Sequence, residues 1–268
     1  MVLSGRGQMP DSTRIIRGGR SGDSWGVALQ DMLATSSNDT AAWMQQHTRL
    51  LKDDTNSLVG LLQLRREACY LKLYRYKSTL QKLLFRLGRG RPVRSFDVAC
   101  KLAQKEVPVP LPRACLLVAE GMLLLTEGIA GGGNLNDLWR EQPAHDKFRQ
   151  VLHGAGESIA HLHRAGYAHG DCKWSNLLWT GQQCYLVDLD GVGKAPIGSA
   201  KQARDLARFT LNAEELDIGP ELYELFLESY LQGVGASRSV VIARMMPSLR
   251  LLRKRHAAKY GERGQRLL

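Results

Sequence analysis

The sequence predicts an α+β fold of two lobes, a small β-rich N-terminal one and a mainly helical C-terminal one. Three observations predict it. Between residues 57 and 126, short apolar runs of strand length recur between turn residues. Beyond Gly133 the apolar period becomes that of a helix, most plainly over 148–164, where Val151, Leu152, Ala155, Ile159 and Leu162 share a side. Between the two stretches lies Glu127-Gly128-Ile129-Ala130-Gly131-Gly132-Gly133, a connector rich enough in glycine to hinge.

Taken in order, residues 1–24 are rich in Gly, Ser, Arg and Asp and are expected to be disordered. The N-terminal lobe is assigned to 25–127 and the C-terminal lobe to 128–268. Residues 25–33 suit a short amphipathic helix and 48–51 a first strand. The runs 57–64 and 68–74 form a hairpin across Arg65-Arg66-Glu67. A basic loop (Arg86, Arg89, Arg91, Arg94) leads to a helix over 95–105, and strands at 115–118 and 122–126 complete the lobe. In the second lobe Asn134 caps a helix through Trp139, and Gly166 ends the long helix. His161 and His163, without metal-ligand company, read as ordinary helix residues. Further helices open at Arg204-Asp205-Leu206-Ala207-Arg208 and run over 221–231.

The most informative stretch is His169-Gly170-Asp171-Cys172-Lys173-Trp174-Ser175-Asn176, followed twelve residues after Asn176 by Asp188-Leu189-Asp190. An acid, a Lys two residues on, an Asn five residues on and a second acid behind an apolar run are the parts phosphoryl transfer needs. Asp171 would orient the attacking hydroxyl and take its proton, while Lys173 neutralises charge on the moving group. Asn176 would hold Mg²⁺ through its amide oxygen, and Asp188 would bridge the ions that clamp the nucleotide phosphates. Tyr185-Leu186-Val187 reads as a buried strand that delivers Asp188 with little freedom. Asp190 is either a second metal ligand or a turn residue. On the second strand of the hairpin, Lys72 is the candidate cation for the phosphates.

Together, Tyr70-Leu71-Lys72-Leu73-Tyr74-Arg75, Val107-Pro108-Val109-Pro110, Leu125-Thr126-Glu127, the Asp171 motif and Val187-Asp188-Leu189-Asp190 resemble the bacterial lipopolysaccharide kinase family. The resemblance covers residues 48–232. It implies a protein-kinase-like fold, ATP and Mg²⁺ as cofactors, and transfer to a heptose or Kdo hydroxyl of the lipopolysaccharide inner core, a membrane-embedded glycolipid. It also implies that the backbone at Glu127 and Ile129 binds adenine, unless that segment is a plain connector, and that Lys72 pairs with the first two phosphates. Asp205 resembles the buried acid that braces the catalytic loop, or is a solvated helix acid. The loop signature is shared with protein kinases and aminoglycoside phosphotransferases, so Val-Pro-Val-Pro and the compact C-terminal part are what favour the lipopolysaccharide branch. Two other readings stand beside it. Lys173 suits a Ser/Thr protein kinase, although no Ala-Pro-Glu follows Asp188, and Ser95 suits a non-catalytic scaffold.

Three departures from the family pattern carry consequences. There is no Gly-x-Gly-x-x-Gly loop, so the turn Asp53-Asp54-Thr55-Asn56-Ser57 would have to cover the phosphates with its N–H groups. Ser95 stands where a Glu should pair with Lys72; Asp97 is a substitute, though two helix positions turn it about 200° away. Cys172 replaces the commoner Leu beside the catalytic acid, which suits a small buried thiol.

Composition sets the surroundings. A chain of 268 residues at 44% hydrophobic can build a core in each lobe. Five cysteines without a Cys-x-x-Cys pair indicate neither a disulfide framework nor a zinc site, which suits a reducing cytoplasm. No apolar run reaches membrane-spanning length, and the N-terminus lacks a signal-peptide core. The expected location is cytoplasmic, peripheral on the inner face of the bacterial inner membrane. Net charge is +11, and from Arg238 to Arg266 nine Lys or Arg face only Glu262. With Leu249, Leu251 and Leu252 among Arg250, Arg253, Lys254 and Arg255, this tail reads as a basic amphipathic helix for anionic lipid or a partner protein. Neither an aromatic-rich RNA motif nor a zinc finger is present, so no nucleic-acid partner is expected.

Overall fold

The computed structural model describes residues 13–18, 24–34, 39–141 and 145–268. The chain is α+β and divides into two compact units, 1–97 with 111–128, and 98–110 with 129–268.

The first unit is built on a six-stranded antiparallel sheet in the order β1-β5-β6-β4-β3-β2. Its strands are β1 (Arg14–Arg17), β2 (Arg49–Asp53), β3 (Ser57–Leu64), β4 (Glu67–Arg75), β5 (Pro112–Val118) and β6 (Gly121–Glu127). Its helices are α1 (Trp25–Ala34), α2 (Thr40–His47), α3 (Thr79–Arg86) and the first half of α4 (Arg91–Ala103). Alternate residues make one face: Leu58, Leu62 and Leu64, then Cys69, Leu71 and Leu73, then Leu116, Leu123 and Leu125 pack with Leu29 and Trp43 of α1 and α2. Buried leucines of this kind contribute about 2 kcal/mol each. Because Leu71 and Leu73 enter that core, Lys72 projects from the other face, paired in register with Val59 and Leu124.

The β3–β4 hairpin forms as its pattern predicts, with Leu64 opposite Glu67. Its two turn residues, Arg65 (φ 54°) and Arg66 (φ 63°), both adopt the left-handed conformation that matches the sheet's twist, without the usual Asn-Gly.

Three expectations need correction here. The expected disorder of 1–24 fails at Arg14–Arg17, which adds an edge strand to β5; residues 1–12 and 19–23 lie outside the described residues. The basic segment expected as a loop is the end of α3, a glycine turn and the start of α4. Finally, residues 98–110, assigned from sequence to the N-terminal lobe, belong to the second unit. Ala99, Leu102, Val107 and Val109 bury their side chains in that unit's core, and the Leu186 N–H donates to the Pro108 carbonyl at 2.8 Å.

The second unit is mainly helical. It contains β7 (Gly133–Asn134), α5 (Leu135–Arg140), α6 (His145–Arg164), β8 (Tyr167–Ala168), β9 (Leu177–Trp179), β10 (Cys184–Leu186) and β11 (Gly193–Lys194), then α7 (Ala200–Glu215), α8 (Pro220–Val234) and α9 (Arg238–Tyr260). The apolar positions read on α6 are all buried, against α8 and against Trp174, Phe209 and Phe226. Gly166 (φ +86°) ends the helix in the left-handed conformation and returns the chain into β8.

The basic tail forms a helix, as expected, with its apolar positions divided between the core and the surface. Val241, Met245, Leu249 and Leu252 fall on one face of α9 and are buried in the core of the unit, with α9 packed along α7. Those four side chains are therefore covered by protein, whereas Leu251, read from sequence with Leu249 and Leu252, is 49% exposed. Arg253 makes an ion pair with the buried Glu214, and Arg238 with Glu224. Among the described residues no helix is long and apolar enough to cross a membrane.

Candidate active site

Of the residues singled out by sequence, Lys72 and Glu127 lie in the first unit, and Ile129, Asp171, Lys173, Asn176, Asp188 and Asp190 in the second.

In the first unit, Lys72 is half-buried, and its ammonium lies 4.7 Å from the centre of the Tyr74 ring. The substitute partner offered for it, Asp97, is committed elsewhere: its carboxylate receives Arg17 Nε at 2.9 Å and Nη2 at 3.3 Å. Glu127 closes β6 through two bonds to Leu111, its N–H donating to the carbonyl at 2.8 Å and its carboxylate accepting from the N–H at 3.1 Å. The turn before β3 departs from expectation. The N–H groups of Asn56 and Ser57 donate to the Asp54 carboxylate at 2.8 and 2.7 Å, and the Asp54 N–H donates to the Ser57 carbonyl at 2.9 Å. Those three donors are engaged inside the turn rather than offered to phosphates. The Lys52 ammonium, 2.8 Å away, and these N–H groups hold Asp54 far below the usual carboxylate range.

In the second unit the candidate loop is held by one face of α7. Asp205, 2% exposed, accepts the His169 N–H at 2.6 Å and the Gly170 N–H at 2.9 Å, one on each carboxylate oxygen. Arg208 donates to Asp171 Oδ1 at 2.7 Å. The Phe209 carbonyl accepts from the Trp174 indole at 3.1 Å, and the Asn212 side chain accepts from the Trp174 N–H at 3.1 Å. Positions 205, 208, 209 and 212 are spaced i, i+3, i+4, i+7, a single stripe of the helix. One turn earlier, the buried Gln202 donates to the His163 and Tyr167 carbonyls at 2.8 and 3.0 Å.

Asp171 is the centre of this arrangement. Besides Arg208, the Lys173 ammonium lies 3.0 Å from its Oδ2, and Asn176 Nδ2 donates to its carbonyl at 2.9 Å and its Oδ2 at 3.2 Å. Burial works to raise the Asp171 pKa, but the Lys173 hydrogen bond and charge, together with the Arg208 charge, outweigh it and hold the carboxyl below its ordinary value. The acid is thus ionised and oriented.

Asn176 and Asp188 stand at one end of the β9–β10 pair of a three-stranded sheet, order β10-β9-β7. Leu177 pairs with Leu186 in β9–β10, and the Val187 N–H donates to the Asn176 carbonyl at 3.0 Å. The His169 ring adds a bond to the Val187 carbonyl at 3.0 Å, which requires the proton on Nε2. Complete burial lowers the pKa of that imidazole, so it is neutral. Asp188 itself sits at φ 58°, ψ 61°, a left-handed conformation that Asp tolerates better than most residues. Gly170 (φ +80°) completes the fit: a Cβ there would lie 2.6 Å from the Gly191 carbonyl oxygen, so the two loop backbones touch.

The donor set fits a hard divalent cation. Asn176 spends both of its bonds on Nδ2, which leaves its amide oxygen for a ligand, and Asp188 and Asp190 supply carboxylates. Among the described residues there is no group of three or more His, Cys, Asp or Glu that could hold a metal ion. Cys172 is fully buried, and burial raises its thiol pKa well above the ordinary value, so it acts as packing.

Sequence reasoning missed Arg208 and His163 as site residues. His163, read as an ordinary helix residue, is buried between the Tyr230 hydroxyl at 2.9 Å and Asp205 at 3.4 Å.

A β-rich unit with a lysine on its central hairpin, joined to a helical unit with an acid-Lys-Asn loop braced by a buried helix acid, defines the protein-kinase-like class. Within it, the chain belongs to the lipopolysaccharide kinase (Kdo/WaaP) family, whose model matches residues 41–230. It is 32% identical over 131 residues to a 3-deoxy-D-manno-octulosonic acid kinase of Xanthomonas campestris pv. campestris (strain B100), covering 45% of this chain and 49% of the relative. A protein of the same name from Stenotrophomonas maltophilia (strain R551-3) is 32% identical over 126 residues, with the same coverage. The EKC/KEOPS complex subunit BUD32 of Yarrowia lipolytica is 25% identical over 230 residues, covering 75% of this chain and 90% of that protein. The chain spans about half the length of the 3-deoxy-D-manno-octulosonic acid kinases it matches.

Proposed function

We propose that this protein transfers the γ-phosphoryl group of ATP to a sugar hydroxyl of the lipopolysaccharide inner core, at the cytoplasmic face of the inner membrane. The observation that carries the reading is the Asp171 carboxylate, ionised and fixed between Lys173, Arg208 and Asn176. The named relatives favour 3-deoxy-D-manno-octulosonic acid over heptose as the acceptor sugar.

Asp171 accepts the proton of the acceptor hydroxyl as that oxygen bonds to the γ-phosphorus and the bond to the β-phosphate's bridging oxygen breaks, releasing ADP. Lys173 stabilises charge gathering on the transferred group. Asn176 and Asp188 would hold Mg²⁺, with Asp190 as a further ligand, and the ion would supply charge neutralisation on the phosphates. Lys72 pairs with the first two phosphates, and the backbone at Glu127 and Ile129 binds adenine.

The test incubates purified protein with labelled ATP, Mg²⁺ and one of three acceptors: a dephosphorylated glycolipid ending in 3-deoxy-D-manno-octulosonic acid, one ending in heptose, or a generic Ser/Thr protein substrate. Transfer to a glycolipid is expected, reduced roughly 10²–10⁴-fold or more by Asp171→Asn. Asp188→Asn should match that loss and also weaken nucleotide binding. Transfer to the protein alone would establish the second reading, which the Lys173–Asp171 contact suits. Wild type and Asp171→Asn behaving alike would leave the scaffold reading.

A further inference from the structure

Helix α3 is amphipathic and turned the wrong way round for a helix of a folded core. Leu80, Leu83 and Leu87 fall within about 60° of one another around the axis, and Phe85 lies on the opposite side. The structure buries only that opposite side: Phe85 is 1% exposed, against Tyr76 with ring centres 5.6 Å apart. Leu80, Leu83 and Leu87 are 65%, 54% and 61% exposed, more than most other large apolar side chains of the described residues. Three leucines aligned on the outside of a single helix form a patch rather than scattered surface residues.

Its electrostatic setting is one-sided. From Tyr76 to Phe96 the chain carries Lys77, Lys82, Arg86, Arg89, Arg91 and Arg94 and no Asp or Glu. All six cations are exposed. A convex leucine ridge flanked by cations suits a fluid, negatively charged surface, into which the ridge sinks while the cations meet headgroups. The tail helix α9 offers less, because its Val241, Met245, Leu249 and Leu252 face is spent on the protein core.

We infer that α3, with the basic residues flanking it, docks this protein on an anionic lipid bilayer. The inference stands on this helix alone, so its test is separate from that of phosphoryl transfer. The full chain is sedimented with phosphatidylcholine vesicles, with and without phosphatidylglycerol, over a range of salt. Wild type should bind only the anionic vesicles and release as salt rises. The variant Leu80→Ser/Leu83→Ser/Leu87→Ser should lose about a hundredfold in partitioning while keeping the wild-type circular dichroism and Tm, since these side chains support no core. Leu83→Trp should shift its fluorescence to the blue with anionic vesicles. Arg250→Glu/Lys254→Glu/Arg255→Glu on α9 should keep the dependence on the leucines. The inference fails if the serine variant binds like wild type, if wild type binds no vesicle, or if the α9 variant alone abolishes binding. It fails equally if the leucines instead hold a second copy, seen as a vesicle-free dimer that the serine variant dissociates.

Discussion

Asp205→Asn changes one atom and should cost much of the stability of the second unit. Asp205 is 2% exposed, and each of its carboxylate oxygens accepts one loop N–H, from His169 at 2.6 Å and from Gly170 at 2.9 Å. Asn keeps one oxygen and turns an NH₂ group toward the other N–H. A hydrogen bond to a charged group contributes about 1.5–3 kcal/mol, and leaving a buried donor unpaired costs about 1–3 kcal/mol more. The sum, about 2.5–6 kcal/mol, brackets the roughly 3–5 kcal/mol usual for breaking a buried charged pair. It is a large part of the roughly 5–15 kcal/mol that stabilises a domain. Urea unfolding should show a lower midpoint with an unchanged slope, and amide exchange at His169 and Gly170 should accelerate. Glu228→Gln, on the exposed side of α8, should stay within about 0.5 kcal/mol of wild type. A loss below about 1 kcal/mol for Asp205→Asn would refute the idea that this carboxylate carries the loop.

Two further outcomes follow from the same geometry. Arg208→Gln removes a cation 2.7 Å from Asp171, so the Asp171 pKa should rise toward its ordinary value. The sign follows from the depressed pKa: the stabilisation is present above the unfolded carboxylate's value of about 3.9 and is lost as pH falls through the lower folded value. In the variant that contribution should be smaller and its loss complete at a higher pH, and the acid limb of kcat/KM should move to higher pH. An unmoved limb would mean that Arg208 does not act on this acid. Leu249→Ala in α9 should cost about 2–5 kcal/mol in chemical unfolding, because Leu249 is fully buried. A change under about 0.5 kcal/mol would mean that the tail does not belong to the core.

The sheet was legible because strand pairing leaves a period-2 trace within each segment, so Leu58 to Leu64 and Cys69 to Leu73 announce their shared face locally. The loop from His169 to Asn176 was legible because its chemistry is contiguous. What supports the loop is not contiguous. Asp205, Arg208 and Asn212 carry a signal, polar residues at i, i+3 and i+7 on an otherwise buried helix, but only the three-dimensional fold says what that stripe faces. The same limit explains the tail and α3. Valine, methionine and leucine at helical spacing look alike whether lipid or protein covers them, so the tail's apolar period alone did not assign Leu249 and Leu252 to the core. Residues 98–110 were misassigned because the bond that ties Val107-Pro108-Val109-Pro110 to the second unit, from the Leu186 N–H to the Pro108 carbonyl, joins residues far apart in sequence.

Stability and chemistry in the second unit are carried by the same helix face, and this limits how the site can be altered. Gln202, Asp205, Arg208 and Asn212 bond to Tyr167, His169, Gly170, Asp171 and Trp174 in nearly the same order along helix and loop. A shift of α7 by one residue would move all of these partners together, so the position of Asp171 depends on the packing of α7 on α9 as well as on Lys173 and Asn176 within the loop. The α9 face that buries Leu249 therefore contributes to the geometry of an acid far along the chain. A variant that loosens α9 should lower activity before it unfolds the unit, whereas loss of Asp171 alone should leave the unit folded. That ordering would separate the residue proposed to handle the proton from the residues that hold it in place.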